Sequence, residues 1–371
     1  MIDYIVWGSI AFILYTYFFY PIIVCLVARL FGRVPTSRPD YEPFVSILIS
    51  AYKSGDYLRQ KLLSIMELNY PKEKIEVLVG LDGPDEQTQE MLVGISTIMP
   101  NLRFVVQEER LGKPSILNKL IALARGDVFV FTDARQRLDK DSVKRLISNL
   151  ADDSIGAVSG ELVFLDDEGE VKADIGLYWR YEKKIRECES RLFSMIGATG
   201  ALYAMPRELV RPLPKDVILD DLWQPFNAIR KGKRVLFLPG AVVYDWVSKD
   251  EWREFQRKVR TLIGNLQLIS MDGFFISFRN PILWQFLSHK IFRLFIPYAM
   301  VICYIGSIFM HWPWSGLLFS GQTAFYLVAI LRMLGIGRGR LWSLPYTFLV
   351  LNLACVVAWV RFLQRNYSVK W

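Results

Sequence analysis

Three long stretches without Asp, Glu, Lys or Arg set the first limit on how this chain can fold. They are residues 4–28, 294–331 and 341–360. A helix needs about 20 predominantly apolar residues to cross the hydrocarbon core of a bilayer, so the first and third stretches each predict one membrane span. The second is long enough for two spans, and the aromatic, Pro and Gly residues of 311–316 favour a turn at the membrane interface. The sequence therefore predicts four membrane helices.

The first stretch reads as a retained anchor. A cleaved signal peptide has a basic start and an apolar region of about 7–15 residues, whereas this chain carries Asp3 and a longer apolar run. Arg29 and Arg33 follow the run, and Lys290 and Arg293 precede the next one. Because cytoplasmic flanks are enriched in Lys and Arg, the polar middle segment is predicted to be cytoplasmic.

The charges of the C-terminal tail do not fit four complete crossings. Four spans from an outside start would leave the tail outside, yet residues 361–370 include three basic side chains. Two alternatives follow: the charge rule fails there, or one C-terminal segment lies in the membrane interface without crossing.

The remaining composition excludes several classes of site. The net charge is +8, which anionic lipid headgroups and a diphosphate explain better than nucleic acid does. The four cysteines are scattered, so the spacing predicts neither a disulfide framework nor a zinc site. Only two histidines are present, which excludes a His-rich metal centre. Membrane spans without internal acidic or basic residues also argue against a transporter or channel.

The middle segment alternates short apolar runs with amphipathic patterns. Such alternation predicts an α/β domain with a mostly parallel sheet, whose ligands bind beyond the carboxyl ends of the strands. Helices are predicted over 58–68, 87–98 and 113–124. The predicted strands are residues 45–52, 75–81, 104–106, 128–131, 155–158, 201–204 and 235–238.

A further helical pattern follows this domain. Apolar residues recur at spacings of three and four over residues 252–269, and Arg253, Arg257 and Arg260 fall on another face. This pattern predicts an amphipathic helix that lies in the membrane interface with its apolar side down. The arginine face could meet anionic lipid, bind phosphate, or do both.

Charged residues cluster at predicted strand ends and helix starts. Asp82 ends the second strand, Lys113 opens a helix, Asp133 ends the fourth strand, and Asp220 and Asp221 precede a helix. Taken singly, each is typical of a helix cap or a turn. Their order along an alternating sheet is what gives them meaning as a set.

In that order the residues resemble the family-2 glycosyltransferases, which include the cellulose, chitin and hyaluronan synthases. The resemblance covers most of the chain and implies a GT-A-type nucleotide-sugar-binding domain. It implies that Ala51, Tyr52, Asp82 and Lys113 bind the donor nucleotide. It also implies that Asp133, the first Asp of an Asp-x-Asp motif, binds Mg²⁺ or Mn²⁺, for which carboxylate oxygens are suited.

The same resemblance assigns the acceptor side. Asp221 matches the Asp of the Thr-Glu-Asp motif and is implied to be the catalytic base, with Asp220 beside it. The loop of Gly197, Ala198, Thr199 and Gly200 resembles the one near the acceptor, although it also fits a plain turn before a strand. General-base help of this kind is worth about 10²–10⁴-fold.

Two departures from the family pattern bear on function. The second Asp of the Asp-x-Asp motif is Arg135, which is predicted to point away or to contact the donor phosphates itself. Arg257 and Arg260 stand where the family has Gln-x-x-Arg-Trp, and Thr261 replaces the Trp that lies at the polymer entrance of processive synthases. Arginine suits bidentate phosphate contacts, so both arginines are expected to bind the donor.

The sequence thus predicts an inverting glycosyltransferase that acts on a nucleotide sugar, with UDP carried over from the resemblance, and on a glycan or polyprenyl-linked acceptor. Its expected place is a bacterial or archaeal plasma membrane. The alternatives are a processive synthase that exports its product and a catalytically silent nucleotide-sugar-binding relative. The predicted parts are an anchor (1–33), a GT-A domain (40–250), interfacial helices (251–290) and C-terminal membrane helices (291–363).

Overall fold

The computed structural model describes residues 1–166, 168–169, 171, 177–247, 250–337 and 339–370. Its contacts divide the chain into two units. The membrane unit comprises Met1–Ile23, Ser248–Ser277 and Leu283–Tyr367, and the α/β unit comprises Val24–Val247, Phe278–Ile282 and Ser368–Trp371. Chain segments that are distant in sequence therefore contribute to each unit.

The first half of the α/β unit is the predicted parallel sheet. Strands β1 (Val45–Ala51), β2 (Ile75–Leu81), β3 (Leu102–Val106) and β4 (Val128–Asp133) lie in the order β3-β2-β1-β4, all parallel. Every residue of β1 and β2 is buried, as expected for strands covered on both faces. The connecting helices are α2 (Gly55–Met66), α3 (Glu86–Ser96) and α4 (Lys113–Leu123).

The second half of the sheet is mixed. Strand β7 (Tyr203–Pro206) runs antiparallel to both β4 and β6 (Ile155–Leu165), and β6 pairs in parallel with β8 (Arg234–Trp246). The short β5 (Arg137–Leu138) closes this edge beside β8. Helices α5 (Ser142–Asn149), α6 (Leu177–Leu192) and α7 (Asp220–Arg230) complete the unit. In the part of the chain that the structure describes, the sheet thus has eight strands in the order β3-β2-β1-β4-β7-β6-β8-β5.

A buried apolar core fixes the positions of strands β1, β2 and β4. Apolar side chains from these strands pack with Leu58 and Leu62 of α2 in one buried cluster. At about 1.5–3 kcal/mol for each large side chain removed from water, this cluster fixes the sheet. Gly80 of β2 allows close packing, because a Cβ there would lie 2.3 Å from Ile116 of α4.

The membrane unit contains the predicted apolar helices. They are α1 (Ile2–Phe31), which continues into the α/β unit, and, after the amphipathic α8 (Glu251–Met271), the helices α9 (Leu283–Ile308), α10 (Trp314–Met333) and α11 (Arg340–Leu363). Within the described residues, α1, α9, α10 and α11 are the four helices that are long and apolar enough to cross a membrane. Within the unit, α1 packs against α9, and Trp7 meets Trp314 edge to face at 5.2 Å.

The cysteine spacing predicts no disulfide framework, and it gives no sign of the disulfide that the structure contains. Cys25, near the end of α1, and Cys188, on α6, form a disulfide across a sequence separation of 163 residues. Both residues belong to the α/β unit. The pair could not be recognised from spacing, because only the fold brings the end of α1 to α6. Cys303 and Cys355 are free and buried.

Candidate active site

The side chains of Asp133, Asp221 and Lys113 meet around Gly200. A Cβ placed on Gly200 would lie 3.4 Å from an Oδ2 atom of each aspartate and 3.7 Å from Nζ of Lys113. These residues come from the end of β4, the start of α7 and the start of α4. The topology therefore brings together three predicted site residues that are far apart in sequence, at the carboxyl end of the parallel strands.

Lys113 lies between two carboxylates. Its ammonium is 2.8 Å from Oδ1 of Asp133 and 3.1 Å from Oδ2 of Asp220. Burial opposes a charge here, but Asp133, Asp220 and Asp221 outweigh it and raise the pKa of Lys113 above its usual value. The lysine is therefore cationic at every physiological pH, which suits it to a phosphate oxygen.

One carboxylate oxygen of Asp221 accepts a hydrogen bond, and the surroundings of this side chain disfavour its ionised form. Its Oδ2 accepts a hydrogen bond from the amide of Gly200 at 3.0 Å. Burial, followed by the charge of Asp220, raises the pKa of Asp221 to about 6, although Lys113 opposes the shift. A carboxylate with a pKa just below neutral is ionised at pH 7 and still basic enough to take a proton.

The loop of residues 197–200 is built around the start of α7. Gly197 has φ +73°, and a Cβ there would lie 2.7 Å from Leu222, so glycine is required by conformation and by space. The amide of Ala198 donates to the backbone carbonyl of Asp221 at 2.7 Å. The amide of Thr199 donates to Oγ of Ser159 at 3.0 Å. The loop is therefore fixed to Asp221 by both main-chain and side-chain bonds.

Asp82 is fully buried under a neighbouring loop. Its Oδ1 accepts hydrogen bonds from Gln107 and from the amides of Leu111 and Gly112, at 2.8 to 3.0 Å. The carboxylate shapes the loop that leads into Lys113 and is itself closed to solvent. Its role in nucleotide binding stays a prediction.

The other predicted donor residues lie beside this loop. Tyr52 follows β1, and the guanidinium of Arg110 lies over its ring at 3.8 Å, while Ala51 is buried at the end of β1. A flat aromatic and guanidinium pair is a surface on which a nucleobase can stack. Val369 from the C-terminal segment also reaches the loop, since its side chain lies 3.0 Å from the Cβ position of Gly112.

Arg135 is engaged by a buried acid on another strand. Its Nε lies 2.8 Å from Oδ1 of Asp245, and its Nη2 donates to the carbonyl of Trp246 at 3.0 Å. Asp245 also accepts from Gln136 at 3.0 Å. The cation that replaces the second Asp of the motif is thus neutralised by β8, and its contact with donor phosphates stays a prediction.

Arg257 and Arg260 lie on α8 in the membrane unit. Arg257 is exposed and pairs with Glu254 on the same helix at 2.8 Å. Thr261 bonds back to the carbonyl of Arg257. Their assignment to the donor stays a prediction.

A divalent cation fits this site only together with a ligand that supplies oxygens. In the described part of the chain, no group of three or more His, Cys, Asp or Glu side chains is placed to hold a metal ion. Asp133 keeps 39% of its side chain exposed and turns Oδ2 toward the space beside Gly200. A hard cation could therefore bind this oxygen and complete its shell with diphosphate oxygens and water.

Some of the buried residues near the site were not predicted. Among them are Lys61 on α2, Tyr203 on β7 and Asp245 on β8. Burial and the nearby Asp220, Asp221 and Asp133 charges raise the pKa of Tyr203 well above its usual value. A lysine inside an otherwise apolar helix face was the one signal available from the sequence.

The architecture and the charged cluster define a GT-A-like α/β domain joined to apolar helices. Two family models match the chain: "Glycosyl transferase family 2" over residues 46–209 and "Glycosyl transferase family group 2" over residues 128–360. The chain belongs to glycosyltransferase family 2. A particular relation to the cellulose and chitin synthases is not shown by these matches.

Individual relatives agree with the family. The probable glycosyltransferase YdaM of Bacillus subtilis is 32% identical over 252 residues, covering 64% of this chain and 59% of YdaM. Glycosyltransferase AglE of Haloferax volcanii is 27% identical over 132 residues, covering 36% of this chain and 43% of AglE. The chain thus spans about half the length of these relatives.

A solved structure shares the fold across the whole chain. The mannosyltransferase PcManGT of Pyrobaculum calidifontis, in complex with GDP-Man and Mn²⁺, superposes with a TM-score of 0.76 at 22% identity. The match covers 99% of this chain and 100% of PcManGT. At this identity the likeness establishes the fold, including the GT-A-like domain and the accompanying helices.

Proposed function

We propose that this protein is an inverting glycosyltransferase that moves a sugar from a nucleotide-sugar donor to a glycan or polyprenyl-linked acceptor at the cytoplasmic face of a membrane. The observation that carries the proposal is the meeting of Asp133, Lys113 and Asp221 around Gly200. It supplies groups for a leaving diphosphate and for an attacking hydroxyl within one small volume.

The donor end of the site combines the ammonium of Lys113 with the carboxylate of Asp133. Lys113 would contact a phosphate oxygen, and Asp133 would hold Mg²⁺ or Mn²⁺ against the same diphosphate. That cation would neutralise charge on the leaving nucleoside diphosphate. The Mn²⁺ bound with GDP-Man in PcManGT is consistent with this assignment. UDP remains the predicted nucleotide, and GDP is the competing outcome.

Asp221 would act as the base. Its Oδ2 is fixed by the amide of Gly200, and its pKa of about 6 leaves it ionised at neutral pH. It would take the proton of the acceptor hydroxyl while the hydroxyl oxygen attacks the anomeric carbon from the side opposite the diphosphate. A single displacement of this kind inverts the anomeric configuration. A silent binding relative would have no need of a base held in this way.

The apolar helices, which are long enough to cross a membrane, support an acceptor that is linked to a lipid.

The position of the C-terminal tail follows from a separate contact. Val369 lies against Gly112, which would put the tail on the catalytic side of the membrane. With the tail on that side, we favour the alternative in which one C-terminal segment lies in the membrane interface without crossing. Maleimide labelling of a Ser368→Cys variant in sealed, oriented vesicles tests this.

The decisive experiment for the activity is a donor screen. The full chain in detergent or nanodiscs is given Mn²⁺, a polyprenyl-phosphate-linked acceptor or a membrane lipid extract, and a panel of UDP-, GDP- and dTDP-sugars. We expect acceptor-dependent release of one nucleoside diphosphate and a product of inverted configuration by NMR. Extension by many sugars would favour the processive alternative. If no nucleotide sugar binds, the proposal is refuted.

A further inference from the structure

Lys61 is a fully buried lysine beneath the site. It lies on α2 with no solvent exposure, and its ammonium donates to Oγ1 of Thr132 at 2.6 Å. Lysine is almost never fully buried unless it is paired. In the described ranges, no carboxylate forms an ion pair with it, and the hydroxyl of Thr132 is its side-chain hydrogen-bond partner.

The hydrogen bond of Lys61 is the first of two consecutive hydrogen bonds whose donor-to-acceptor direction is fixed. Oγ1 of Thr132 lies 2.6 Å from the carbonyl oxygen of Ala201. A threonine hydroxyl has one proton to donate, and the carbonyl can only accept. The proton of Thr132 therefore goes to Ala201, and the hydroxyl oxygen accepts from Lys61. Without this donor, the hydroxyl would lose its second partner in a place closed to water.

These two hydrogen bonds connect the two halves of the active site. Thr132 directly precedes Asp133 at the end of β4, and Ala201 directly follows Gly200, whose amide holds Asp221. The bond between Thr132 and Ala201 thus fixes the end of β4 to the loop of residues 197–200. The position of Asp133 relative to Asp221 depends on it.

A lysine is a poor choice for packing alone. Removing an ammonium from water is costly unless it is compensated, and Leu or Met would fill an apolar position without that cost. Burial lowers the pKa of Lys61 to about 7, although the charges of Asp133 and Asp245 oppose the shift. The lysine is retained at an expense in stability, which indicates a use other than filling the core.

We propose that Lys61 is a positioning residue of the transfer reaction, which acts through Thr132 and Ala201 to fix the separation between the donor-side Asp133 and the base Asp221. This inference rests on the proposed function of the site. Lys61 would touch neither substrate nor metal. Its effect would fall on the rate of transfer more than on nucleotide binding, because Lys113 and Asp133 remain in place to bind the diphosphate.

The test compares Lys61→Met, Thr132→Val and Thr132→Ser with the exposed-lysine control Lys119→Met. For Lys61→Met we expect an unchanged or raised melting temperature, nucleoside diphosphate affinity within about threefold, and a kcat lowered by about 10- to 100-fold, since misplacement by about 1 Å can cost 10²-fold. Thr132→Val should lower kcat to a similar extent but also lower the melting temperature, because it leaves the buried ammonium of Lys61 without its side-chain partner. Thr132→Ser should retain activity. The double variant should lose no more than the worse single variant.

Hydrogen exchange supplies a readout that does not depend on turnover. The amides of residues 199–201 should exchange faster in Lys61→Met and Thr132→Val than in the wild type and in Lys119→Met. An active wild type with Lys61→Met at full kcat would overturn the inference. So would a Lys61→Met that is merely unfolded alongside a Thr132→Val of normal kcat. A wild type inert toward every donor would instead refute the proposed function.

Discussion

Replacing Gly200 by alanine separates the fold from the chemistry at the centre of the site. The new methyl would lie 3.4 Å from Oδ2 of Asp133, 3.4 Å from Oδ2 of Asp221 and 3.7 Å from Nζ of Lys113. These are ordinary van der Waals distances, so no neighbour has to move. Gly200 is also not among the glycines of positive φ. Alanine is therefore compatible with the backbone and with its surroundings.

The expected effect on stability is small. A Gly-to-Ala change at a compatible position stabilises by about 0.4–1 kcal/mol through the unfolded chain, and the methyl removes some water from two carboxylates. We expect these effects to offset each other to within about 1 kcal/mol. Urea unfolding of the full chain in detergent, followed by tryptophan fluorescence, measures this quantity.

The expected effect on turnover is large. The methyl would occupy the space that a diphosphate, an anomeric carbon and an acceptor hydroxyl have to share. A displacement of about 1 Å is enough to lower turnover about 10²-fold. The assay is steady-state release of nucleoside diphosphate, with Gly94→Ala on α3 as a control, because a Cβ there meets nothing within 4 Å. A folded Gly200→Ala with turnover within threefold of wild type would refute this arrangement.

The remaining predictions concern charge. Because burial and Asp220 raise the pKa of Asp221 to about 6, log kcat/KM should rise with unit slope below pH 6 and level off above it. Asp220→Asn should move that limb to lower pH, and an unmoved limb would assign it to another group. Lys113→Met should lower the free energy of unfolding at pH 7. Breaking a buried ion pair costs about 3–5 kcal/mol, and we expect the low end of this range because Asp133 stays partly exposed to solvent. An unchanged free energy of unfolding in a denaturation experiment would contradict this. Lys61→Met should raise the free energy of unfolding most below pH 7. There the buried Lys61 of the wild type is protonated and the full cost of burying an ammonium applies, and this cost falls as the pH rises above about 7.

Much of the fold could be predicted because it follows from the local spacing of apolar residues along the sequence. The apolar runs correspond to α1, α9, α10 and α11, and the strand and helix alternation up to β4 is parallel as expected. The alternation weakens after β6. There β7 inserts antiparallel between β4 and β6, a pairing of residues more than 40 positions apart that no local pattern encodes.

The candidate site was predictable where its residues end strands or begin helices. Asp133, Lys113 and Asp221 all do so, and the topology brings them together. Lys61 could not be recognised as a neighbour of the site, because it lies in the middle of α2. Asp245 could not either, because the sequence predicts strand β8 only over 235–238, whereas β8 continues to Trp246. The disulfide of Cys25 and Cys188 was missed because its two partners meet only in the tertiary structure.

The most direct measurement pairs nucleotide affinity with turnover in Asp221→Asn, using the exposed Asp153→Asn as a control. A base that does not hold the donor should be dispensable for binding and needed for reaction. We expect Asp221→Asn to bind the nucleoside diphosphate with Mn²⁺ as the wild type does, and to lower kcat at least about 10²-fold. An Asp221→Asn enzyme that turns over at the wild-type rate would contradict the account.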